Sequence, residues 1–209
     1  MIKIILFFLT YIALFFSVIG YGLIIARLSK LTLAGDINIG IKPILGIIFL
    51  SFISYVTIFF IPHGILFNSL IHLVGIFLFF KNFSKFKEFK DSSNIIIILL
   101  LFISLIISKT HDDFSFYHLQ QSLNFSQNKF QIGLSNLDFS YSHHSSLLYL
   151  NSIFYLPFYK FLLFNIPNHI IFTSVILAFY NFSKDVKNES FLRYYSLISL
   201  IFIIPKFTR

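Results

Sequence analysis

Two adjacent carboxylates and two histidines stand close together in "KTHDDFSFYHLQQS", Lys109 to Ser122. The types suit proton transfer or cation binding. His111, Asp112, Asp113 and His118 can each take a proton or ligate a metal near neutral pH. Just before them run fourteen residues, Ile95 to Ser108, without a single charge. An ionised carboxylate is costly in hydrocarbon, so a pair at the mouth of such a run belongs at an interface or in a wet cavity. Polar residues also gather wherever a chain leaves an apolar layer, and Asp is a good helix N-cap. Each aspartate alone is explained as easily by capping as by chemistry. The next ten residues do not read as a solvated loop. Phe114, Phe116, Tyr117, Leu119 and Leu123 are interleaved with His118, Gln120 and Gln121. The pattern predicts a short amphipathic helix over Phe114–Leu123 lying along an interface. A helix starting at His111 would put Asp113 on a face with Tyr117 and Gln120, not with His118.

A second polar cluster comes later, in "GLSNLDFSYSHHSS", Gly133 to Ser146, with Asp138, His143 and His144. Together with His111, Asp112 and His118 these residue types would suit zinc or manganese. The spacing fits no strict ligand motif, so a divalent metal stays an open option without assigned ligands. Ser145 and Ser146 lack the glycine context of a nucleophile elbow. There is no Cys, which excludes disulfides, thiolate metal sites and a Cys nucleophile.

The elements around these clusters are apolar. Hydrophobic residues make up 57% of the chain and charged ones 11%, against about 25% charged in a soluble domain. A core of 209 residues cannot hide so many long apolar runs. The expected class is all-α, a polytopic transmembrane bundle of about seven spans with interfacial helices in one long extracytoplasmic loop. Residues 1–108 supply four N-terminal spans: Ile4–Ala26, Ile44–Ile61, Ile65–Phe80 and Ile95–Ser108. The first lacks the basic n-region and short apolar core of a signal peptide. Residues 109–146 form the loop. Residues 147–209 supply about three further spans, Leu147–Phe164, Ile166–Phe182 and Phe191–Ile204.

The net charge of +8 sits between apolar runs, so it orients the chain in a bilayer; no nucleic-acid partner is expected. Arg27, Lys30 and Lys42 mark one connection, and Lys81, Lys85, Lys87 and Lys90 another. Both belong in the cytoplasm, which leaves the N-terminus and the 109–146 loop outside.

The two blocks, "DFSFYHLQ" (Asp113–Gln120) and "GLSNLDFSYSHHSSLLYLNSIF" (Gly133–Phe154), resemble a motif pair of bacterial polytopic membrane proteins that are similar to GT-C glycosyltransferases. The match runs through Asp113, then Tyr117, His118, Leu119 and Gln120, then Gly133, Leu134, Asn136 and Leu137. Asp112 and the His143–His144 pair depart from the pattern, and the likeness is confined to about Lys109–Phe154. The resemblance implies transfer of a sugar from a polyprenyl-phosphate carrier to a glycan or lipid acceptor at the outer face of the bacterial inner membrane. It implies a carboxylate base, Asp113 with Asp112 beside it. It places Lys109, Tyr117, His118, Gln120, Asn136, Asp138, His143 and His144 around the substrates, with Lys109, His118 or His144 near the leaving phosphate. It needs no metal. Such families usually run longer, so an N-terminal portion of a larger protein is expected. The alternatives are another envelope-glycan membrane protein, such as an oligosaccharide polymerase, or a transporter. The loop's lack of Arg counts against the polymerase. Transport would call for ionisable residues or broken helices within spans, for which Pro157 and Lys160 are the sequence hints.

Overall fold

The computed structural model describes residues 2–29, 38–82, 91–107, 114–142 and 145–185, with 194–195 and 198–199. The fold is all-α. Seven α-helices are described: α1 (Ile2–Leu28), α2 (Ile41–Thr57), α3 (Ile65–Lys81), α4 (Ser92–Ile107), α5 (Leu119–Gln127), α6 (Ser146–Ile153) and α7 (Ile166–Asp185). The first four fall on the first four apolar runs. α2 ends short of Ile61, in a turn that leads into Pro62.

The expected span Leu147–Phe164 is corrected. α6 stops at Ile153, and the chain reverses in a tight hairpin whose Lys160 N–H donates to the Leu156 carbonyl at 2.9 Å. Pro157 has no N–H to continue a helix, and Phe158 and Lys160 take φ of 67° and 47°, outside the helical region. A short 3₁₀ turn, Phe161–Leu163, then leads into α7. One helix therefore runs the length of the bundle between residues 146 and 185 where two were expected. Most of the last apolar run, Phe191–Ile204, lies outside the described residues.

Side-chain pairs fix the helix directions. Ser17 meets His72, a Cβ on Gly20 would run into the Gly75 carbonyl, and Arg27 donates to Asn82. The rising pairs make α1 and α3 parallel. Gly22 abuts Lys42 and Val18 abuts Gly46, so α2 is antiparallel to α1. Tyr159 reaches Lys3 and Tyr11 reaches Thr173, so α7 runs with α1. Asn94 pairs with Asn181 and Asp91 with Lys184, so α4 runs against α7. One end of the bundle thus carries Arg27, Lys81 and Lys184. The other carries the α2–α3 turn, α5, α6 and the hairpin. At Gly20–Gly75 and Gly46–Val18 the helix backbones touch, which only glycine permits.

The faces are sorted unusually. α3 turns Asn68, His72, Gly75 and Phe79 inward and leaves Leu66, Leu70, Leu73, Val74 and Phe77 exposed. α4 buries Asn94, Ile98 and Phe102 and exposes Ile96, Leu99, Leu100, Ile103 and Ile107. α2 buries Ile47 and Leu50 together with Lys42, Gly46 and Ser54, and exposes Ile48, Phe52 and Val56. Around α1 an apolar core remains, with Tyr11, Phe15, Val18, Leu50, Phe79 and Phe154 in it. Two helical stretches, Lys3–Leu28 and Phe161–Lys184, are long and apolar enough to cross a membrane; α2, α3 and α4 are apolar but shorter. At 17 residues, α2 and α3 reach about 25 Å, somewhat less than a typical hydrocarbon core of about 30 Å.

Candidate functional site

The helix expected over Phe114–Leu123 is present. It opens as a π-turn, Phe114–His118, and continues as α5. α5 buries Gln121, Ser122, Phe125 and Ser126, adjacent positions one turn apart that face one side. That side lies on α6: Phe125 stacks on Tyr149 with ring centres 4.6 Å apart. Ile58, Leu148 and the same two rings form a small second core under the loop. Backbone bonds complete the docking. The His63 N–H donates to the Phe125 carbonyl and the Phe130 N–H to the Ile58 carbonyl, both at 2.9 Å.

The loop then folds back on itself. Gly133, at φ 89°, makes the left-handed turn that starts the 3₁₀ segment Leu134–Asn136. A second one, Phe139–Ser142, packs against the π-turn. The two sequence blocks therefore meet. Beside that contact, between α5 and the start of the second block, is a cavity of about 230 Å³ lined by Gln121, Phe125, Phe130, Gly133, Leu134 and Tyr141 among others.

Of the residues expected around the substrates, Tyr117 and His118 are half-buried, with rings 4.2 Å apart. Gln120, Asn136 and Asp138 are exposed. None of these five lines the cavity; Gln121 and Ser135, beside Gln120 and Asn136 in sequence, do. The reason is local. Gln120 lies off the α5 face that docks on α6, and Gln121 lies on it. Lys109, His111, Asp112, Asp113, His143 and His144 lie outside the described residues. Among the described residues no three His, Cys, Asp or Glu come together as a metal site.

Sequence reasoning missed the group under the loop. His63, fully buried in the α2–α3 turn, places Nε2 2.9 Å from the Thr57 hydroxyl and Nδ1 2.6 Å from the Ser152 hydroxyl. Asn68 points its amide nitrogen at the carbonyls of His63, Ser152 and Tyr155, at 2.7, 2.9 and 2.9 Å. One histidine thus joins α2, α3, α5 and α6. The "PHG" turn reads as a short connector in the sequence, and nothing local marks its His as a clasp. Burial lowers the His63 pKa from 6.5 to about 4. The unfolded chain then binds the proton more readily than the folded one, so the clasp is intact above pH 6.5 and weakens as pH falls towards 4. The full shift corresponds to about 3 kcal/mol at most. Acidification over that window should lower the amide-exchange protection of α5, taken as the observed rate against the intrinsic rate at each pH, and His63→Gln should flatten that pH dependence. An unchanged pH profile in the variant would rule His63 out as its source.

The family described as "Domain of unknown function (DUF8201)" matches residues 4–208. No curated protein and no solved structure matches the chain.

Proposed function

The chain belongs to the DUF8201 family; from its residues and fold we propose that it is a polytopic protein of the bacterial inner membrane that transfers a sugar from a polyprenyl-phosphate carrier at its outer face. The observation that carries the membrane part is the apolar outer face of α2, α3 and α4, with polar side chains buried behind it on α3 and α4. Asn68, His72 and Asn94 are buried while isoleucines, leucines and phenylalanines face outward over whole helices. Water would drive the opposite arrangement. In lipid, polar side chains turn to the bundle interior and close glycine contacts hold the helices.

The directions of α1, α2, α3, α4 and α7 support one orientation. Arg27, Lys81 and Lys184 gather at one end, which the positive-inside rule assigns to the cytoplasm. The loop, α5 and α6 gather at the other. Reporter fusions at Ser84 and at Asn128 should therefore give opposite signals, cytoplasmic and extracytoplasmic. The same signal at both would sink the site assignment, because the loop would then face the cytoplasm.

The transfer reading rests on the motif blocks and is supported by their contact with each other at that end, next to a cavity between α5 and the second block. In the proposed step the acceptor hydroxyl attacks the anomeric carbon, its proton passes to Asp113, and the bond to the carrier phosphate breaks. Lys109, His118 or His144 would meet the leaving phosphate. The partners are the bilayer, the carrier-linked sugar and a glycan or lipid acceptor. The test is transfer from a polyprenyl-phosphate sugar in membranes carrying the chain against membranes without it. A second reading, transport, is favoured by His72 and His169, both buried among helices with a ring nitrogen that has no hydrogen-bond partner. Solute flux lost in His72→Ala, with no sugar transfer by the unaltered chain, would decide for it.

A further inference from the structure

The hairpin between α6 and α7 is the strained feature of the described chain. Phe158 and Lys160 are the non-glycine residues there with positive φ, a state that L side chains adopt at a cost and that the surroundings must enforce. The enforcement is visible. Leu156 and Lys160 close an antiparallel bridge. Tyr159 is tied down on the far side: its hydroxyl donates to the Lys3 carbonyl at 2.8 Å, and its ring meets Phe7 edge-on at 5.2 Å. The outcome is that Phe158 projects outward, 89% exposed. The strained turn holds this aromatic ring away from the protein, where an apolar medium can receive it.

The neighbouring side chains identify that medium. Leu162 sits in the next turn, and Ile4, Ile5 and Leu6 of α1 are exposed at the same end. The tip therefore continues an outward apolar band instead of forming an isolated patch. Two exposed lysines belong to the same end, Lys160 in the hairpin itself and Lys3 on α1, whose carbonyl takes the Tyr159 hydroxyl. Among the described residues, the carboxylate at this end is Asp138, which belongs to the loop and not to the hairpin. An apolar prong between two lysines matches an amphiphile with an anionic head.

We propose that the Leu156–Lys160 hairpin is a lipid-binding prong of the outer leaflet. Phe158 and Leu162 contact the hydrocarbon of an anionic lipid, and Lys3 and Lys160 hold its phosphate. This rests on the membrane reading above and adds a phosphate-recognising lipid seat to it. The carrier proposed as donor has the same chemistry, so the seat is suited to hold a lipid phosphate at the rim of the bundle.

The chain has no Trp, so single tryptophans report cleanly. Phe158→Trp is placed in nanodiscs of phosphatidylcholine and phosphatidylglycerol, with bromine on one lipid or the other. Leu162→Trp is a second reporter, and Phe77→Trp, on the outward face of α3, is the membrane control. The indole of Phe158→Trp should be quenched, at least twofold more by brominated phosphatidylglycerol than by brominated phosphatidylcholine. Lys3→Gln with Lys160→Gln should erase that preference. Equal quenching by both lipids would overturn the phosphate seat. Quenching in Phe77→Trp without quenching in Phe158→Trp and Leu162→Trp would overturn the prong and leave the membrane reading standing. No quenching in any of the three variants would overturn both.

Discussion

Asp113→Asn is expected to slow sugar transfer on the order of 10²-fold or more, because an amide cannot take the proton of the attacking hydroxyl. The substitution separates chemistry from architecture. Asp113 immediately precedes the helical turn that begins at Phe114, where a carboxylate can serve as a cap alone. Asn caps about as well as Asp, so a capping role predicts almost no loss. Asp112→Asn is the internal control and should be milder. Rates would be measured as transfer from a polyprenyl-phosphate sugar in membranes, with protein level checked in each sample. A reversed order, with Asp112→Asn inactive and Asp113→Asn within a few-fold of the unaltered chain, would move the base by one residue and keep the loop. Full activity in both would remove the carboxylates from the reaction.

How far the sequence reaches can be judged from single elements. α1, α3 and α4 were legible to within a few residues, because apolar runs of that length exceed an ordinary strand and read as helices. The run Leu147–Phe164 misled for the same reason. Its composition is largely apolar, but Pro157 removes a donor and the hairpin closes with Phe158 and Lys160 at positive φ. Hydropathy does not register a reversal made of apolar residues. The helix over the second half of "HDDFSFYHLQ" was legible from amphipathicity. Its register against α6 was not, because Gln120 and Gln121 are equivalent in type, and only the partner surface decides which is buried. His63 was invisible for a related reason. A clasp exists through Thr57, Ser152 and Asn68, which come from different elements and share no motif. What sequence could supply was the pair of blocks; the cavity between α5 and the second block required the left-handed turn at Gly133.

Leu73→Lys and Leu100→Lys together should prevent the chain from accumulating in a folded, membrane-inserted form. Each residue lies near the middle of its helix, on the outward face of α3 or α4, and is about three-fifths exposed (61% and 59%). If that face meets lipid, a lysine at the helix centre costs about 2.5–3.5 kcal/mol on the insertion scale. Two distant sites add to about 5–7 kcal/mol, as much as the whole stability of a modest domain. If the face meets water, the sign changes. A lysine on an exposed helical position is then worth within about 0.5 kcal/mol of the leucine it replaces, and solubility improves. Leu137→Lys, in the loop and 85% exposed, sets the baseline, since the proposed orientation leaves it outside the bilayer core and the change should be neutral either way. The readout is the amount of chain that resists carbonate extraction from membranes, compared among the variants. A double variant that is abundant, folded and soluble without detergent would overturn the membrane assignment. The buried asparagines and histidines of the bundle would then be the interior of a water-soluble protein, and the outer-face chemistry proposed for the 109–146 loop would lose its setting.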